Sequence, residues 1–196
     1  MKKMIWMLVL GAVCALSAGA ADMKIAVVDM NRVFQEYNKT KVNEAKLKKQ
    51  AEIYREYSLR LSESLKKLQE EFKELRDASQ NLALTGAERE NRRLNAADKY
   101  TQAKGKEKEL TDYNREKQIQ LREEYEKMRE GIIKDIEKVI AAKCITEGYM
   151  IVIDKSGKTL NNIPTVIYYN PSLDISESVI KTLNLGTPQA TPEKTK

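Results

Sequence analysis

The pattern of apolar and polar positions first becomes informative at residues 24–37, KIAVVDMNRVFQEY. The run from Ile25 to Val28 is apolar at every position, which predicts a central strand buried on both faces. After Asp29 the apolar residues return at helical spacing. An acidic residue at this boundary favours an N-cap, because its carboxylate can accept hydrogen bonds from the free N–H groups of the first turn. We therefore expect a buried strand that passes directly into a helix at Asp29.

Residues 39–82 follow a different pattern. They are rich in Glu, Lys, Gln, Arg, Leu and Ala and contain neither Gly nor Pro, a composition that strongly favours helix. One stripe recurs at alternating steps of four and three: Leu47, Ala51, Tyr54, Ser58, Leu61, Leu65, Leu68, Phe72, Leu75, Ser79 and Leu82. This heptad stripe, with its two serines, predicts a long helix that packs against another helix.

The break at LALTGAERE predicts where that second helix begins. Thr85 and Glu88 have the spacing of a capping box, and Gly86 relieves the turn. The chain then favours helix to about Glu147. Its apolar positions are sparse at first (Leu94, Ala97, Tyr100, Ala103, Leu110) and become dense later (Leu121, Tyr125, Met128, Ile132, Ile136, Val139). We expect an antiparallel hairpin with a tight base and a looser outer half. At 1.5 Å per residue its arm reaches roughly 65 Å.

The C-terminal part returns to short apolar runs. Gly148 suits a helix C-terminus, and a strand over 149–154 and a turn with Gly157 follow. A strand over 165–169 comes next, and Asp174 with Glu177 predicts a capping box that begins an amphipathic helix. Three strands are few for an independent sheet, so we expect copies of the chain to pool their sheets. The residues expected in this oligomeric body are Ile25, Val27, Val28, Ile151, Val152, Ile153, Val166 and Ile167.

The N-terminus has the layout of a secretory signal peptide. Two lysines precede an apolar run from Met4 to Leu16, and Ala18 and Ala20 satisfy the small-residue rule for cleavage near Ala20. The resulting division is a signal peptide in 1–20, a discontinuous β-containing body in 21–38 and 148–184, a hairpin arm in 39–147 and a disordered tail in 185–196. The predicted fold class is α+β, with a small β body and a long antiparallel α-helical coiled-coil hairpin.

Composition argues against catalysis. The chain has no histidine, which excludes Ser/His/Asp triads, Cys/His pairs and His-ligated zinc. Phosphate-binding glycine motifs and CxxC are also absent, so we predict no enzyme activity, no cofactor and no metal, and we set aside an exported hydrolase. Loss of the leader removes Cys14 and leaves Cys144 as the only cysteine, without an intramolecular disulfide.

Charge adds a possible binding role to the outer half of the arm. From Lys73 to Lys108 the chain has nine Lys or Arg and six acids, a slightly basic balance that suits weak attraction to acidic polypeptides or anionic lipid. The mixed charges and sparse aromatics argue against nucleic acid. The candidate contact residues are Phe72, Leu75, Arg76, Leu82, Leu84, Arg89, Arg92, Arg93 and Leu94.

Taken together, KIAVVDMNRVFQEY at the front and GYMIVID with DISESVIKTLN at the back resemble the Skp/OmpH family of periplasmic chaperones, from about Lys24 to Asn184. The resemblance implies a homotrimer whose β body carries three helical tentacles. It also implies that unfolded outer-membrane β-barrel proteins are held between the tentacles in the periplasm, without ATP, until they insert into the membrane. Anionic lipid or lipopolysaccharide stays open as a further partner. The connection TLNNIPT, residues 159–165, is longer than in the family's shorter members.

A second reading stays open at this point. The same heptad seam would serve a structural or adaptor protein of the cell envelope equally well, because a coiled-coil hairpin can dock on one fixed partner helix. Composition does not separate the two hypotheses.

Overall fold

A computed structural model of the chain describes residues 23–186, and the predicted signal peptide and nearly all of the predicted tail lie outside them. The order is β1 (Ile25–Val28), α1 (Met30–Glu36), α2 (Asn38–Ser79), α3 (Gly86–Glu147), β2 (Ile151–Asp154), a 3-10 turn (Pro171–Leu173) and α4 (Ser176–Asn184). The predicted α+β class with a long helical hairpin is confirmed.

The body is built on one parallel strand pair. Ile25 lies beside Ile151 and Val28 beside Asp154, and the strands are extended by hydrogen bonds from Met150 N to Lys24 O at 2.8 Å and from Lys155 N to Val28 O at 2.9 Å. Helices α1, α4 and the last part of α3 pack around this pair. Their shared core consists of Ala26, Val28, Val33, Tyr37, Ile132, Ile136, Ile175, Val179, Ile180 and Leu183. The last part of α3 therefore belongs to the body core as well as to the arm.

Asp29 caps α1, as its position at the strand–helix boundary predicts. Its Oδ1 accepts a hydrogen bond from Arg32 N at 2.9 Å, while its own backbone N donates to Ser176 Oγ at 2.8 Å. Arg32 in turn pairs with Glu36 of α1 and, at 2.7 Å, with Glu177 of α4. The cap therefore lies where α1 meets α4.

The predicted strand over 165–169 is wrong for the single chain. A bridge joins Lys158 to Pro164, and Thr165 N donates to Gly157 O, but the ladder stops there. The reason lies in Asp154, whose Oδ1 accepts from both N and Oγ of Ser156 and turns the backbone out of the extended conformation. Val166 and Ile167 therefore lie in a segment without ladder pairing.

Two further local expectations are corrected. Gly157 has no positive φ; a Cβ there would lie 3.0 Å from Thr165 Oγ1, so the residue permits a close approach. The Asp174–Glu177 capping box does not form either. Ile175 is the N-cap, and Asp174 Oδ1 accepts from Ser176 N at 2.9 Å. The reason is that Glu177 is engaged by Arg32 across the α1–α4 contact.

Both ends of α3 agree with their sequence signals. Thr85 and Glu88 form the predicted capping box, with Thr85 N donating to Glu88 Oε2 at 2.9 Å. Gly148 ends the helix with φ 75°, and its N donates to Cys144 O. A left-handed residue at this position favours glycine because a side chain would be strained. These signals fix where the arm turns and where the chain re-enters the body.

Replacing Asp29 with Ala should lower the free energy of unfolding by about 1 kcal/mol, because the Arg32 N–H loses its cap. Urea denaturation followed by circular dichroism measures this. Asp29→Asn is the matched control, since asparagine retains a capping oxygen. An equal loss in both variants would show that the cap is not the cause.

Asp174 should make stability depend on acid pH. Burial opposes its ionisation, but hydrogen bonds from Lys155 at 2.8 Å and from Ser176 outweigh burial and lower the pKa of Asp174. Because the pKa of Asp174 is lower in the folded protein, its ionised carboxylate stabilises the fold at pH values above the ordinary Asp pKa of about 3.9. This stabilisation is lost as the pH falls through the folded-state pKa. The difference in urea midpoint between wild type and Asp174→Asn should therefore be large at pH 7 and shrink in acid. The exposed Asp77→Asn is the control; a pH-independent difference for Asp174→Asn would contradict the assignment.

Candidate interaction surfaces

The arm is held by one thin seam between α2 and α3. Its register is set by contacts across the hairpin: Lys39 Nζ to Asp135 Oδ2 at 2.6 Å, Gln50 Nε2 to Glu124 Oε1 at 3.1 Å, Ser58 Oγ to Asn114 Oδ1 at 2.7 Å and Lys99 Nζ to Glu71 Oε2 at 2.6 Å. All four contacts are polar. The two helices are therefore joined by hydrogen bonds and ion pairs as much as by apolar packing.

The seam of outer α3 differs from the predicted stripe. The structure buries the predicted Ala103 and half-buries the predicted Leu110, whereas the predicted Leu94, Ala97 and Tyr100 are exposed. Ala96 is buried and Lys99 and Lys106 are half-buried in their place. The physical reason is that a small alanine side chain lets two helix backbones approach closely, which favours Ala96 and Ala103 at the seam. The lysine stems cover the seam while their ammonium groups reach Glu71 and Glu109.

The middle of the arm carries an aromatic and cationic cluster. The Tyr57 and Tyr113 ring centroids are 4.7 Å apart, and Tyr54 meets Tyr113 edge-on at 6.5 Å. Lys117 Nζ lies 5.2 Å from the Tyr54 centroid, and its hydrogen bond to Glu116 raises the pKa of Lys117. Lys117 thus lies half-buried beside the tyrosine rings, and Glu116 stabilises its charged form.

The arm ends in an exposed apolar turn. α2 stops at Ser79, three residues before Leu82, which is 84% exposed. Leu84 is half-buried, and Leu94 on the first turns of α3 is 57% exposed. Asn81 Oδ1 accepts from Ala83 N at 3.0 Å and holds the turn. The tip thus presents leucines on a fixed backbone.

The predicted contact residues come together in the outer third of the arm but differ in access. Phe72 and Leu75 are half-buried in the seam, and Phe72 meets Tyr100 at 5.5 Å. The arginines are exposed except for Arg89, which is half-buried with an Nε that has no hydrogen-bond partner in residues 23–186.

The arginines nearest the tip are mostly balanced by acids. Arg76 pairs with Asp77 at 2.8 Å and lies 5.7 Å from the Phe72 ring. Arg93 pairs with Glu90, which raises the pKa of Arg93 and lowers that of Glu90. The exposed leucines and tyrosines, more than the charges, distinguish this region from an ordinary helix surface.

Exposed apolar residues in mid-arm were not among the predicted contacts. Ile53, Leu59 and Ile119 are each more than half exposed, and Tyr57 is exposed beside Tyr113. The sequence does contain a signal for these residues. They lie outside the a and d positions that form the seam, where a soluble hairpin ordinarily has polar residues.

The body also exposes apolar residues on the outer face of β2 and beyond. Ile151 and Ile153 are exposed, and Ile167 and Tyr168 are 90% and 85% exposed. Of the other predicted body residues, Val27 and Val28 are buried and Ile25, Val152 and Val166 are half-buried. Among residues 23–186, β2 pairs only with β1, so its other edge is open in this part of the chain.

Residues 23–186 offer little that could bind a small molecule tightly. A polar concavity of about 360 Å³ lies between Asp29, Arg32, Lys155, Lys158 and Pro164, but it is open and two of its cations are already paired. Within the same range there is no group of three His, Cys, Asp or Glu side chains able to hold a metal ion. None of its helices is long and apolar enough to cross a membrane.

Comparison with known proteins agrees with this architecture. The model of the OmpH-like outer membrane protein family matches residues 24–183. No curated protein matches the chain. The fold superposes, with a TM-score of 0.62, on a crystal structure from Caulobacter crescentus of a protein whose proposed role is that of an OmpH-like outer membrane chaperone. The match covers 91% of this chain and 94% of that one at 16% sequence identity.

The family match extends from the strand before the Asp29 cap to the last helix of the body, and so spans both paired ends and the arm between them. The chain belongs to the OmpH-like family of outer membrane proteins.

Proposed function

We propose that this protein is a periplasmic chaperone that binds unfolded outer-membrane β-barrel proteins between its helical arms and keeps them from aggregating before membrane insertion. The observation that carries the proposal is the arm itself, a hairpin with a polar seam and with Leu82, Leu94 and Tyr100 exposed to solvent. Such side chains offer many small apolar contacts and no single deep pocket. That arrangement suits a flexible, unfolded partner better than one folded ligand.

A shared body supports the same proposal. A two-stranded sheet is marginal on its own, and this one leaves an open edge beside the exposed Ile151, Ile153, Ile167 and Tyr168. Association of copies would cover these side chains and complete the sheet. A homotrimer, as the family resemblance implies, would place three arms around one cavity.

The mechanism requires no nucleotide. Arms fixed to one body hold an unfolded chain at high effective concentration, so weak and reversible contacts add up to useful affinity. Binding of the unfolded state lowers its free concentration and slows aggregation by mass action. Folding of the β-barrel into the membrane then removes the bound state. Residues 1–20, as a signal peptide, would deliver the chain to the periplasm, where such precursors travel.

The direct test dilutes a urea-unfolded outer-membrane β-barrel protein into buffer without ATP, with and without this protein. Light scattering should fall strongly when the chaperone is in several-fold excess. An equal mass of serum albumin is the control for nonspecific protection. Unchanged scattering at that excess, or co-purification of one stoichiometric folded partner from envelope extract in place of many precursors, would refute the proposal.

The arm tip should contribute to client binding. Leu82→Ser with Leu94→Ser should raise the concentration needed for half-maximal suppression several-fold, because two exposed apolar contacts per arm are lost. Leu185→Ser, an equally exposed leucine on the body, is the matched control. Helicity by circular dichroism and oligomer mass by light scattering should be unchanged in all variants. Equal suppression by the tip variant and wild type would remove the tip from the contact surface.

A further inference from the structure

The arm is a two-helix ribbon whose two broad faces carry opposite charge. In an antiparallel hairpin the b and e positions of both helices share one face, and the c and g positions share the other. We call the first the basic face. Between residues 48–76 and 93–125 its cations are Lys48, Arg55, Lys66, Lys73, Arg76, Arg93 and Lys104, against only Glu52 and Glu107.

The opposite, acidic face reverses that balance. Over residues 50–78 and 91–123 its acids are Glu71, Glu74, Asp98, Glu109, Asp112, Glu116 and Glu123, against only Arg60 and Lys67. The two faces therefore carry five net charges each, of opposite sign. Such segregation on one ribbon is not needed to hold the hairpin, whose own register is set by contacts of the seam such as Gln50 to Glu124 and Ser58 to Asn114.

The charges also match in distance from the body. The same cross-hairpin contacts place Glu123 level with Lys48, Glu116 level with Arg55, and Asp98 with Glu74 level with Lys73. Of the two acids on the basic face, Glu107 lies within about 5 Å of Lys67 along the arm axis, whereas Glu52 lies level with Glu123. The match in height is therefore clearest for Arg55 with Glu116 and for Lys73 with Glu74 and Asp98.

Ion pairs within the chain neutralise many of these charges. In the part of the chain that the structure describes, they leave unpaired some cations on the basic face and some acids at similar heights on the acidic face. Arg76 pairs with Asp77, Lys66 with Glu70, and Glu71 and Glu109 with seam lysines. In residues 23–186 no ion pair engages Lys48 or Lys73 on the basic face, or Glu74, Asp98 or Glu123 on the acidic face. These five side chains stand at two shared heights, one near the base and one near the tip.

Apolar side chains fall between these two heights on both faces. Leu59 lies exposed on the basic face, and Ile53, Tyr57 and Ile119 lie exposed on the acidic face less than two turns away. Two ribbons stacked face to face at equal height would bring Leu59 of one arm against this group of the next. Charged pairs would then flank an apolar centre.

From this match we propose that neighbouring arms of one oligomer dock on each other, the basic face of one arm against the acidic face of the next. The inference rests on the shared body of the proposed function, because arms that leave one body run in the same direction and meet at equal heights. A head-to-tail contact of this kind closes into a ring under cyclic symmetry. Exposed charge pairs are individually weak and screened by salt, so the docked state opens when a client competes.

Disulfide trapping tests the contact. In the processed protein with Cys144→Ser, Ser62→Cys lies on the basic face and Ser64→Cys on the acidic face, both exposed and at nearly one height. They point to opposite sides of α2, so a bond within one chain is excluded by geometry. Mild oxidation should give covalent oligomers on non-reducing gels. The yield should fall several-fold at high salt and on addition of an unfolded outer-membrane protein.

Control variants test whether linking requires both faces, equal height and complementary charge. Each single cysteine should fail to link, and so should Ser62→Cys with Asn95→Cys, because Asn95 lies on the acidic face about 20 Å from Ser62 along the arm. In the Ser62→Cys, Ser64→Cys background, Lys48→Glu with Lys73→Glu should reduce linking several-fold, and so should Glu74→Lys with Glu123→Lys. The four changes together should restore it, since the exchanged positions are then again opposite in sign on the two faces.

Measuring the oligomer mass by light scattering distinguishes a failure of arm docking from a failure of the proposed function. An intact oligomer without Ser62–Ser64 linking, or with equal linking at the mismatched height, overturns arm docking and leaves the chaperone proposal standing. A monomer overturns both, because the shared body would be absent. Linking that the fourfold charge exchange fails to restore also contradicts the proposal, since the contact would then not depend on charge.

Discussion

The parallel pairing of β1 with β2 is the constraint on which the rest of the structure depends. Parallel strands need a long crossover between them, and here the crossover is the entire arm. The hairpin must return to the level at which it left, so the outward run of α2 is matched by the first part of α3. The part of α3 that returns to the level of the start of α2 then buries Ile132 and Ile136 in the body. An insertion in one arm helix would need an equal insertion in the other.

Local signals in the sequence were enough to predict much of this fold. Asp29, the Thr85–Glu88 pair and Gly148 each act through hydrogen bonds to backbone groups a few residues away. Such contacts depend on neighbouring residue types, so a single sequence reveals them. The heptad stripe of α2 was readable for the same reason, since its period is a property of one helix.

The predictions that failed depend on residues far away along the chain. Glu177 left its expected capping role because Arg32, from the other end of the sequence, engages it. The seam of outer α3 passes through Ala96 and Lys99 and not through Leu94 and Tyr100, a choice set by packing against α2 that the α3 sequence alone does not reveal. The run at 165–169 has the composition of a strand, but the turn at Asp154 and Ser156 ends the ladder that it would join. The exposed apolar residues of the arm and of β2 likewise could not be ranked from the sequence, because their exposure depends on how α2, α3 and β1 pack.

The separation of β1 from β2 along the sequence also sets the order in which the hairpin and the body fold. Lys24 and Glu147, which meet beside the strands, are 123 positions apart. A chain that emerges N-terminus first can form most of the hairpin, through local contacts, while β1 still waits for its partner. The body is completed only when the last quarter of the chain arrives. Incomplete chains therefore carry an arm but no finished body, because the core around β1 lacks β2 and α4 until the whole sequence has been made.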